Sequence, residues 1–270
     1  MSLSNIFTVS RLHRAYLAPD QKWSDDHITL DDRESHHLTK VLRAREGDEV
    51  ETFDGQGEVR RCLVVRVSRS EMELESRDLW RQQPLSPAFA LGVAVPKGRE
   101  MDEIVRQAAE MGASRLVPLV TSRSEGSADS KRWKSKLERW RNGAIEACKQ
   151  SGNAFLPEIE PFRSLEDWLA NLSSETLKFV ASLESDARTV RSWLNETNLV
   201  ISPAEVALLI GPEGDLTSDE YATARSDGFL PCTFGETVLR VDTAVICAFA
   251  VAKEELRAYL AKHPLNPSDE

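Results

Sequence analysis

The 270-residue sequence lacks several features that would assign a protein to a class at once. It has no apolar run of about 20 residues, the length that a membrane-spanning helix needs. Its N-terminal stretch lacks the basic start and the apolar core of a signal peptide. Only four cysteines are present, and they lie far apart without a Cys-x-x-Cys pair. We therefore expect a cytoplasmic protein with reduced, mostly buried thiols and no membrane partner.

Positive charge is also scarce, because 34 lysines and arginines face 44 acidic residues, for a formal net charge of −10. This balance excludes a protein that coats nucleic acid without discrimination, but it allows a local basic surface that binds RNA. His36 and His37 have no matching histidine, cysteine or carboxylate spacing nearby, so no metal site is predicted. No internal repeat or low-complexity tract occurs.

The polar, proline-containing stretch 82–87 divides the chain into two predicted domains, residues 1–82 and 83–270. The first is rich in strand patterns, and a hairpin turn, Asp54-Gly55-Gln56-Gly57, joins two of them. Its predicted strands are 50–53, 58–67 and 72–79, with one short helix at 35–42. We expect a small β-barrel.

The second domain alternates strands and helices, which is typical of an α/β fold with a parallel sheet covered on both faces. The predicted strands are 89–95, 116–120, 177–183, 206–210 and 229–234. The predicted helices are 99–111, 131–150, 187–195, 218–227 and 242–260.

The clearest local signal is the turn Gly211-Pro212-Glu213-Gly214, which follows a continuous apolar run ending at Ile210. The two glycines permit backbone angles that side chains forbid, and they let a ligand approach the main chain. Thr217 and Glu220 then form a capping-box pattern that starts a helix. A strand, a glycine turn and a capped helix predict a small-molecule site at the carboxyl edge of the sheet. The turn has neither the Walker nor the Gly-x-Gly-x-x-Gly pattern.

Two further segments carry candidate site residues. Arg123 lies just past a predicted strand, where an arginine either holds a phosphate or an anionic base or simply caps and covers the surface. A second segment leads into the last helix and contains Gly235, Leu239, Arg240, Asp242 and Thr243. Asp242 there also suits the positive end of the helix dipole.

Basic side chains are concentrated in two places. Arg14, Arg43 and Arg45 lie in the predicted barrel, and a run of six basic residues that includes Lys131 and Arg132 lies at 131–141. Trp133, Leu137 and Trp140 are spaced as the buried stripe of a helix, which leaves the cations on its other faces. Contact with RNA and an ordinary solvated surface both fit these charges.

Several motifs occur in the order found in one known family. Residues 97–102, 108–113, 145–152 and 209–214, with Gly235-x-x-x-Leu239-Arg240-x-x-Thr243, resemble the bacterial 16S rRNA uridine-N3 methyltransferases, the RsmE-like members of the SPOUT superfamily. Residues 36–38, 41–43 and 53–55 are similar to the PUA-like barrel of that family. The resemblance covers nearly the whole chain.

The resemblance implies a SPOUT-type parallel sheet with a C-terminal trefoil knot, a homodimer, and S-adenosylmethionine (SAM) bound by the knot loops. It also implies methylation of N3 of a uridine in 16S rRNA of the small ribosomal subunit, a reaction that requires no metal. By position, the cofactor residues would be Leu183, Ile210, Gly211, Glu213, Gly214, Phe234, Gly235, Leu239, Arg240 and Thr243.

The same resemblance suggests roles in catalysis. Arg123 would stabilise an anion or a phosphate, Arg240 would position the substrate, and Asp242, which stands at the family's glutamate position, is a candidate base. Glu213 would orient the turn. Arg14, Arg43, Arg45, Lys131 and Arg132 are candidates for RNA contact.

The chain departs from the family pattern at three places. Asp215 replaces the family's last glycine of the turn, Asn153 replaces an arginine, and residues 236–242 differ in several side chains. Two other interpretations therefore stay open. One is a SPOUT methyltransferase that acts on another RNA base or a ribose 2′-hydroxyl. The other is a catalytically silent RNA-binding protein of ribosome assembly.

Overall fold

The computed structural model describes residues 12–19, 26–68, 71–125, 130–197, 199 and 202–263, without the side chains of 130–132. The chain divides into two compact units. The first comprises Met1–Pro84 and Ile145–Leu156, and the second comprises Leu85–Ala144 and Pro157–Glu270. No pattern noted in the sequence pointed to the place of residues 145–156 in the first unit. Within the described residues, no helix is long and apolar enough to cross a membrane.

The first unit contains a five-stranded sheet in the order β1-β3-β4-β5-β2. Its strands are β1 (His13–Tyr16), β2 (His27–Leu30), β3 (Glu49–Phe53), β4 (Glu58–Val67) and β5 (Met72–Arg81). The predicted hairpin turn between β3 and β4 is confirmed, because Asp54 Oδ1 accepts the N–H groups of Gln56 and Glu58 at 2.7 and 3.0 Å. Strands β1 and β2 were not predicted, because both are short and have few alternating positions.

The segment predicted as one short helix at 35–42 is helical, but it does not form a single regular helix. The chain instead makes α1 (Asp32–His36), capped by Asp31, and then a π-helical turn (His37–Val41). Arg43 follows with a φ of 60°, in the left-handed region. A local preference for helix predicts the segment, but it does not predict the wider π turn.

A nearly buried ion pair holds residues 145–156 within the first unit. Lys149 Nζ lies 2.6 Å from Glu34 Oε1, and both side chains are at most 6% exposed. Glu34 Oε2 also accepts the N–H of Tyr16 in β1 at 3.1 Å. Removing either charge would leave the other one buried and unpaired, so these residues depend on each other.

The second unit has an α/β fold with a parallel sheet, in the order β12-β10-β11-β6-β7-β8, and β9 also pairs with β7. Its strands are β6 (Ala88–Ala94), β7 (Arg115–Val120), β8 (Glu158–Ile159), β9 (Arg163–Ser164), β10 (Leu177–Ala181), β11 (Glu205–Ile210) and β12 (Leu230–Cys232). Its helices are α2 (Glu100–Met111), α3 (Ser130–Ser151, whose last residues belong to the first unit), α4 (Leu165–Ala170), α5 (Val190–Thr197), α6 (Ser218–Ser226) and α7 (Val241–Lys262).

Helices cover the sheet on both faces. Helices α4 and α6 bury Trp168 and Tyr221 against alternate residues of β7, β10 and β11. Phe249 of α7 packs against Phe89 of β6 with the rings tilted by 36° and their centroids 4.7 Å apart. Gly92 of β6 makes room for Trp168, because a Cβ atom at residue 92 would lie 2.4 Å from the indole ring. This close packing explains a glycine in the middle of a buried strand.

Three expectations for this unit need adjustment. The strand predicted at 177–183 ends at Ala181, so Leu183 lies in the loop that follows. Helix α4, which Ser164 caps, was not predicted. In α3, Trp140 is buried as expected, but Trp133 and Leu137 are only half-buried. Short helices and partly covered faces have weak periodic patterns, which accounts for these differences.

Candidate functional site

A pocket open to solvent lies at the carboxyl ends of β10 and β11. It brings together seven of the predicted cofactor residues, namely Leu183, Ile210, Gly211, Glu213, Phe234, Gly235 and Leu239. Gly214, Arg240 and Thr243 are next to lining residues in the chain but do not line the pocket themselves. Asp215, Val238 and Ala181 also line it.

The turn after β11 forms as the sequence predicts. The N–H of Asp215 donates to the carbonyl of Pro212 at 2.9 Å, which closes the turn. The capping box is confirmed, because Thr217 Oγ1 accepts the N–H of Glu220 and Glu220 Oε2 accepts the N–H of Thr217. A Cβ atom at Gly211 would lie 3.3 Å from both Asp215 and Leu216, so a larger residue would press on the turn.

Other parts of the pocket lining combine open backbone with apolar side chains. Gly235 has a φ of +142°, and nothing lies within 4 Å of where its Cβ atom would be. Leu183 and Val238, which also line the pocket, are 57% and 78% exposed. Main-chain groups and apolar surface together suit a ligand that has both polar groups and a flat apolar part.

Arg123 is exposed and lies against the glycine turn. Its Nη1 donates to the carbonyl of Gly214 at 2.7 Å. The neighbouring Ser122 N–H donates to Glu220 Oε1 at 2.7 Å, so the loop after β7 is attached to the start of α6. Burial opposes ionisation of Glu220, but hydrogen bonds from Thr217 and Ser122 outweigh it and lower the pKa of this carboxyl group. The structure thus places Arg123 beside the predicted turn.

Arg240 and Asp242 lie together with a third residue, Glu100, for which no role was predicted. Arg240 Nη2 donates to Glu100 Oε1 at 2.6 Å, and its Nε lies 3.7 Å from Asp242 Oδ1. The hydrogen bond to Glu100 and the nearby carboxylates raise the pKa of the Arg240 guanidinium. Glu100 is therefore the group that orients Arg240. It falls within the motif 97–102, but that motif did not indicate this contact.

Other side chains hold the loops around the pocket. The Glu213 carboxylate accepts the N–H of Lys97 at 2.8 Å, which supports the expectation that Glu213 orients the turn. Arg225 of α6 pairs with Glu184 and Asp186 in the loop that carries Leu183. Nothing in the sequence singled out Arg225, because its partners lie about 40 residues away.

The candidates for RNA contact have different surroundings. Arg43 and Arg45 are exposed, whereas Arg14 is only 5% exposed. Arg14 donates to the carbonyl of Cys148 at 2.8 Å, and its guanidinium lies over the ring of Phe53. The expectation that Arg14 contacts RNA is therefore wrong, because its charge is used inside the first unit. The side chains of Lys131 and Arg132 lie outside the described residues. In the part of the chain that is described, no three His, Cys, Asp or Glu residues form a group that could hold a metal.

The comparisons with known proteins agree with this arrangement. Residues 83–253 match the model of an RNA methyltransferase domain, and residues 30–75 match that of an RNA methyltransferase PUA domain. The chain is 31% identical over 239 residues to the ribosomal RNA small subunit methyltransferase E of Synechocystis, covering 88% of this chain and 76% of that protein.

Solved structures give the same result. A Legionella pneumophila methyltransferase structure with bound SAM has a TM-score of 0.81 at 28% identity, covering 91% of this chain and 98% of that one. The ribosomal RNA small subunit methyltransferase E of Neisseria gonorrhoeae, bound to S-adenosyl methionine, has a TM-score of 0.79 at 25% identity, covering 90% and 97%. The chain therefore belongs to the RNA methyltransferase family that includes the ribosomal RNA small subunit methyltransferases E.

Proposed function

We propose that this chain binds SAM in the pocket between the glycine turn and the Gly235 segment and methylates N3 of a uridine in small-subunit rRNA. One observation carries the proposal. The glycine turn, the Gly235 backbone and exposed apolar side chains all line one pocket at the carboxyl edge of the sheet. Its relatives are named as rRNA methyltransferases, and two solved relatives hold SAM.

The lining residues fit this cofactor. Leu183 and Val238 offer apolar surface for an adenine ring, and the backbone at Gly235 is open to polar groups of the ligand. The cofactor, when bound, supplies a methyl group carried on a sulfonium. The task of the protein is to present the acceptor nitrogen to this group in line and to exclude water.

The acceptor chemistry explains the nearby charges. N3 of uridine carries a proton near neutral pH, so the enzyme must help to remove it and stabilise the resulting anion. Arg123, which is exposed beside the turn, would stabilise the anion or a phosphate. Arg240, held by Glu100, would position the substrate, and Asp242 is the proposed base. Because N3 lies on the pairing edge, the uridine must be unpaired during transfer.

The exposure of Arg43 and Arg45 supports RNA contact by the first unit, whose residues 30–75 match the PUA domain. We keep the domain division at residues 82 and 83, the trefoil knot and a cytoplasmic location as predictions.

We also infer a homodimer. Ile246 and Val251 are 37% and 38% exposed, so apolar surface on α7 is available to a second copy. Sedimentation equilibrium should give twice the mass of one chain, and Ile246→Glu should lower it. A monomer at micromolar concentration would contradict this part of the proposal.

The reaction is tested with methyl-labelled SAM and small ribosomal subunits that lack the modification. The RNA is digested and the labelled nucleoside identified. Labelled 3-methyluridine is the expected product. Another labelled nucleoside would support the wider family activity but contradict the position. Cofactor binding without any labelled RNA would favour a silent RNA-binding protein.

A further inference from the structure

A hydrogen-bonded pair, Asp215 and Tyr221, stands at the wall of the pocket. The hydroxyl of Tyr221 lies 2.8 Å from Asp215 Oδ1 and 3.2 Å from the carbonyl oxygen of Ala181. Asp215 and Ala181 both line the pocket, from the turn after β11 and the end of β10. A single hydroxyl therefore connects two walls of the site.

The tyrosine is a rigid support for this contact. Its side chain is 2% exposed and belongs to the core cluster under α4 and α6, together with Trp168 and Leu209. The hydroxyl has one proton, and it donates a hydrogen bond with it to Asp215, which is the closer acceptor and is charged. Burial, with the hydrogen bond to Asp215, raises the pKa of Tyr221, so the hydroxyl keeps its proton as a donor at physiological pH.

The aspartate has an unusual backbone conformation. Its φ is 63°, in the left-handed region where glycine is favoured and where aspartate is among the better-tolerated alternatives. The family pattern has a glycine at this position. Here Oδ1 of Asp215 accepts the N–H of Leu216 at 2.8 Å as well as the Tyr221 hydroxyl. Both bonds fix the orientation of the carboxylate.

The second carboxylate oxygen of Asp215, Oδ2, has no hydrogen-bond partner among the described residues. Within the described part of the chain, the side-chain hydrogen bonds of Asp215 all use Oδ1, so Oδ2 is a free acceptor on a residue that lines the pocket. A charged acceptor held in one orientation is suited to bind a hydroxyl or amino donor of a ligand. SAM has such donors on its ribose, its adenine and its amino-acid end.

We propose that Asp215 contacts the bound cofactor directly, with Oδ2 accepting a hydrogen bond from a hydroxyl or amino group, and that Tyr221 is the positioning residue that aims it. The inference rests on the proposed function, because it assumes SAM as the ligand. It adds a contact that a glycine at this position cannot make.

The sharpest variant is Asp215→Asn. Asparagine tolerates the left-handed conformation and keeps an oxygen for Tyr221 and Leu216, but it replaces Oδ2 with an NH2 donor. Isothermal titration calorimetry should show SAM binding about tenfold weaker, because two donors then face each other. The thermal unfolding midpoint should stay close to that of the unchanged chain. S-adenosylhomocysteine should lose affinity equally, since it has the same hydroxyl and amino groups.

The positioning role is tested with Tyr221→Phe, which removes only the hydroxyl. We expect SAM binding about three- to tenfold weaker. Tyr259→Phe is the matched control, because Tyr259 is also buried, at 6% exposure, but lies on α7 and does not line the pocket. In an Asp215→Gly background, Tyr221→Phe should cause no further loss of affinity, since the group that it aims is gone.

The outcomes separate the two proposals. If the unchanged chain does not bind SAM, the proposed function and this inference both fail. If it binds SAM and Asp215→Asn binds within about twofold of it, only the cofactor contact is overturned. A loss confined to SAM would mean attraction to the sulfonium charge and would also overturn the hydrogen bond. Equal affinities for Tyr221→Phe and Tyr259→Phe would overturn the positioning role.

Discussion

The parallel sheet of the second unit has an amino edge, where its strands begin, and a carboxyl edge, where they end. Charged side chains have different roles at these two edges. At the amino edge, Arg115 at the start of β7 makes two hydrogen bonds to Glu205 at the start of β11, at 3.1 and 2.8 Å. It also donates to Glu160 at 3.2 Å. Lys178, which lines a second cavity there, donates to Asp227 at 2.8 Å. These charges satisfy one another.

At the carboxyl edge, several groups are oriented but remain available. Asp215 keeps a free oxygen, Gly235 leaves its backbone open, and Leu183 and Val238 remain exposed. The supporting bonds come from the side chains of α6, which reach the surrounding loops. The comparison teaches that a charged network alone does not mark a site. The carboxyl edge differs because it has polar groups and apolar side chains that the protein's own contacts leave free for a ligand.

The largest effect is expected at Gly235. Gly235→Val should weaken SAM binding by about 100-fold or more, because the new side chain would fill open pocket space and its backbone conformation is unfavourable. Gly228→Val is the matched control at the amino edge, since Gly228 also has a positive φ and open space around it. Both changes should cost about 1–3 kcal/mol of stability, but only the first should affect binding in calorimetry. Normal SAM binding by Gly235→Val would contradict the proposed site.

The next effect concerns transfer. Arg123→Ala should slow methylation of small subunits by about 10- to 100-fold, because a charge near the developing anion is lost. SAM affinity should change little, since Arg123 does not line the pocket. Arg123→Lys keeps the charge without the planar fork and should recover part of the rate. An equal loss of binding and transfer would assign Arg123 to the turn alone.

The amino edge should respond in stability only. Arg115→Gln leaves Glu160 and Glu205 without their shared cation, and we expect a loss of about 1–3 kcal/mol in urea unfolding. Solvent screens part of this loss, because the Arg115 side chain is 25% exposed. SAM affinity should be unchanged. A large fall in affinity would remove the contrast between the two edges.

The smallest effect should come from Glu220→Gln, which weakens the capping box and the bond to Ser122. We expect a loss of about 1 kcal/mol at pH 7. Because the folded pKa of Glu220 is lowered from its ordinary value of 4.5, its contribution is full above that pH and is lost as the pH falls. The two chains should therefore converge in stability in acid, as urea titrations at several pH values can measure. A constant difference down to pH 3 would contradict this linkage.

The sequence by itself determined the elements whose signals are local. The alternation of strands and helices follows from apolar periodicity, and the hairpin turn at Asp54 follows from side-chain bonds to nearby N–H groups. The capping box of Thr217 and Glu220 spans only three residues, so its chemistry is complete within one segment. The Gly211–Gly214 turn is likewise specified by residues that are adjacent in the chain.

Only the tertiary structure decided which distant groups meet. Arg240 bonds to Glu100 across 140 residues, and Tyr221 reaches Ala181 across 40. Arg14 was predicted to be a surface cation, but it is buried in the first unit, where it donates to the carbonyl of Cys148, 134 residues away. A periodic pattern reports which face of an element is buried, but not which partner covers it. Pairing between distant side chains depends on how the elements pack, and packing is a property of the whole fold.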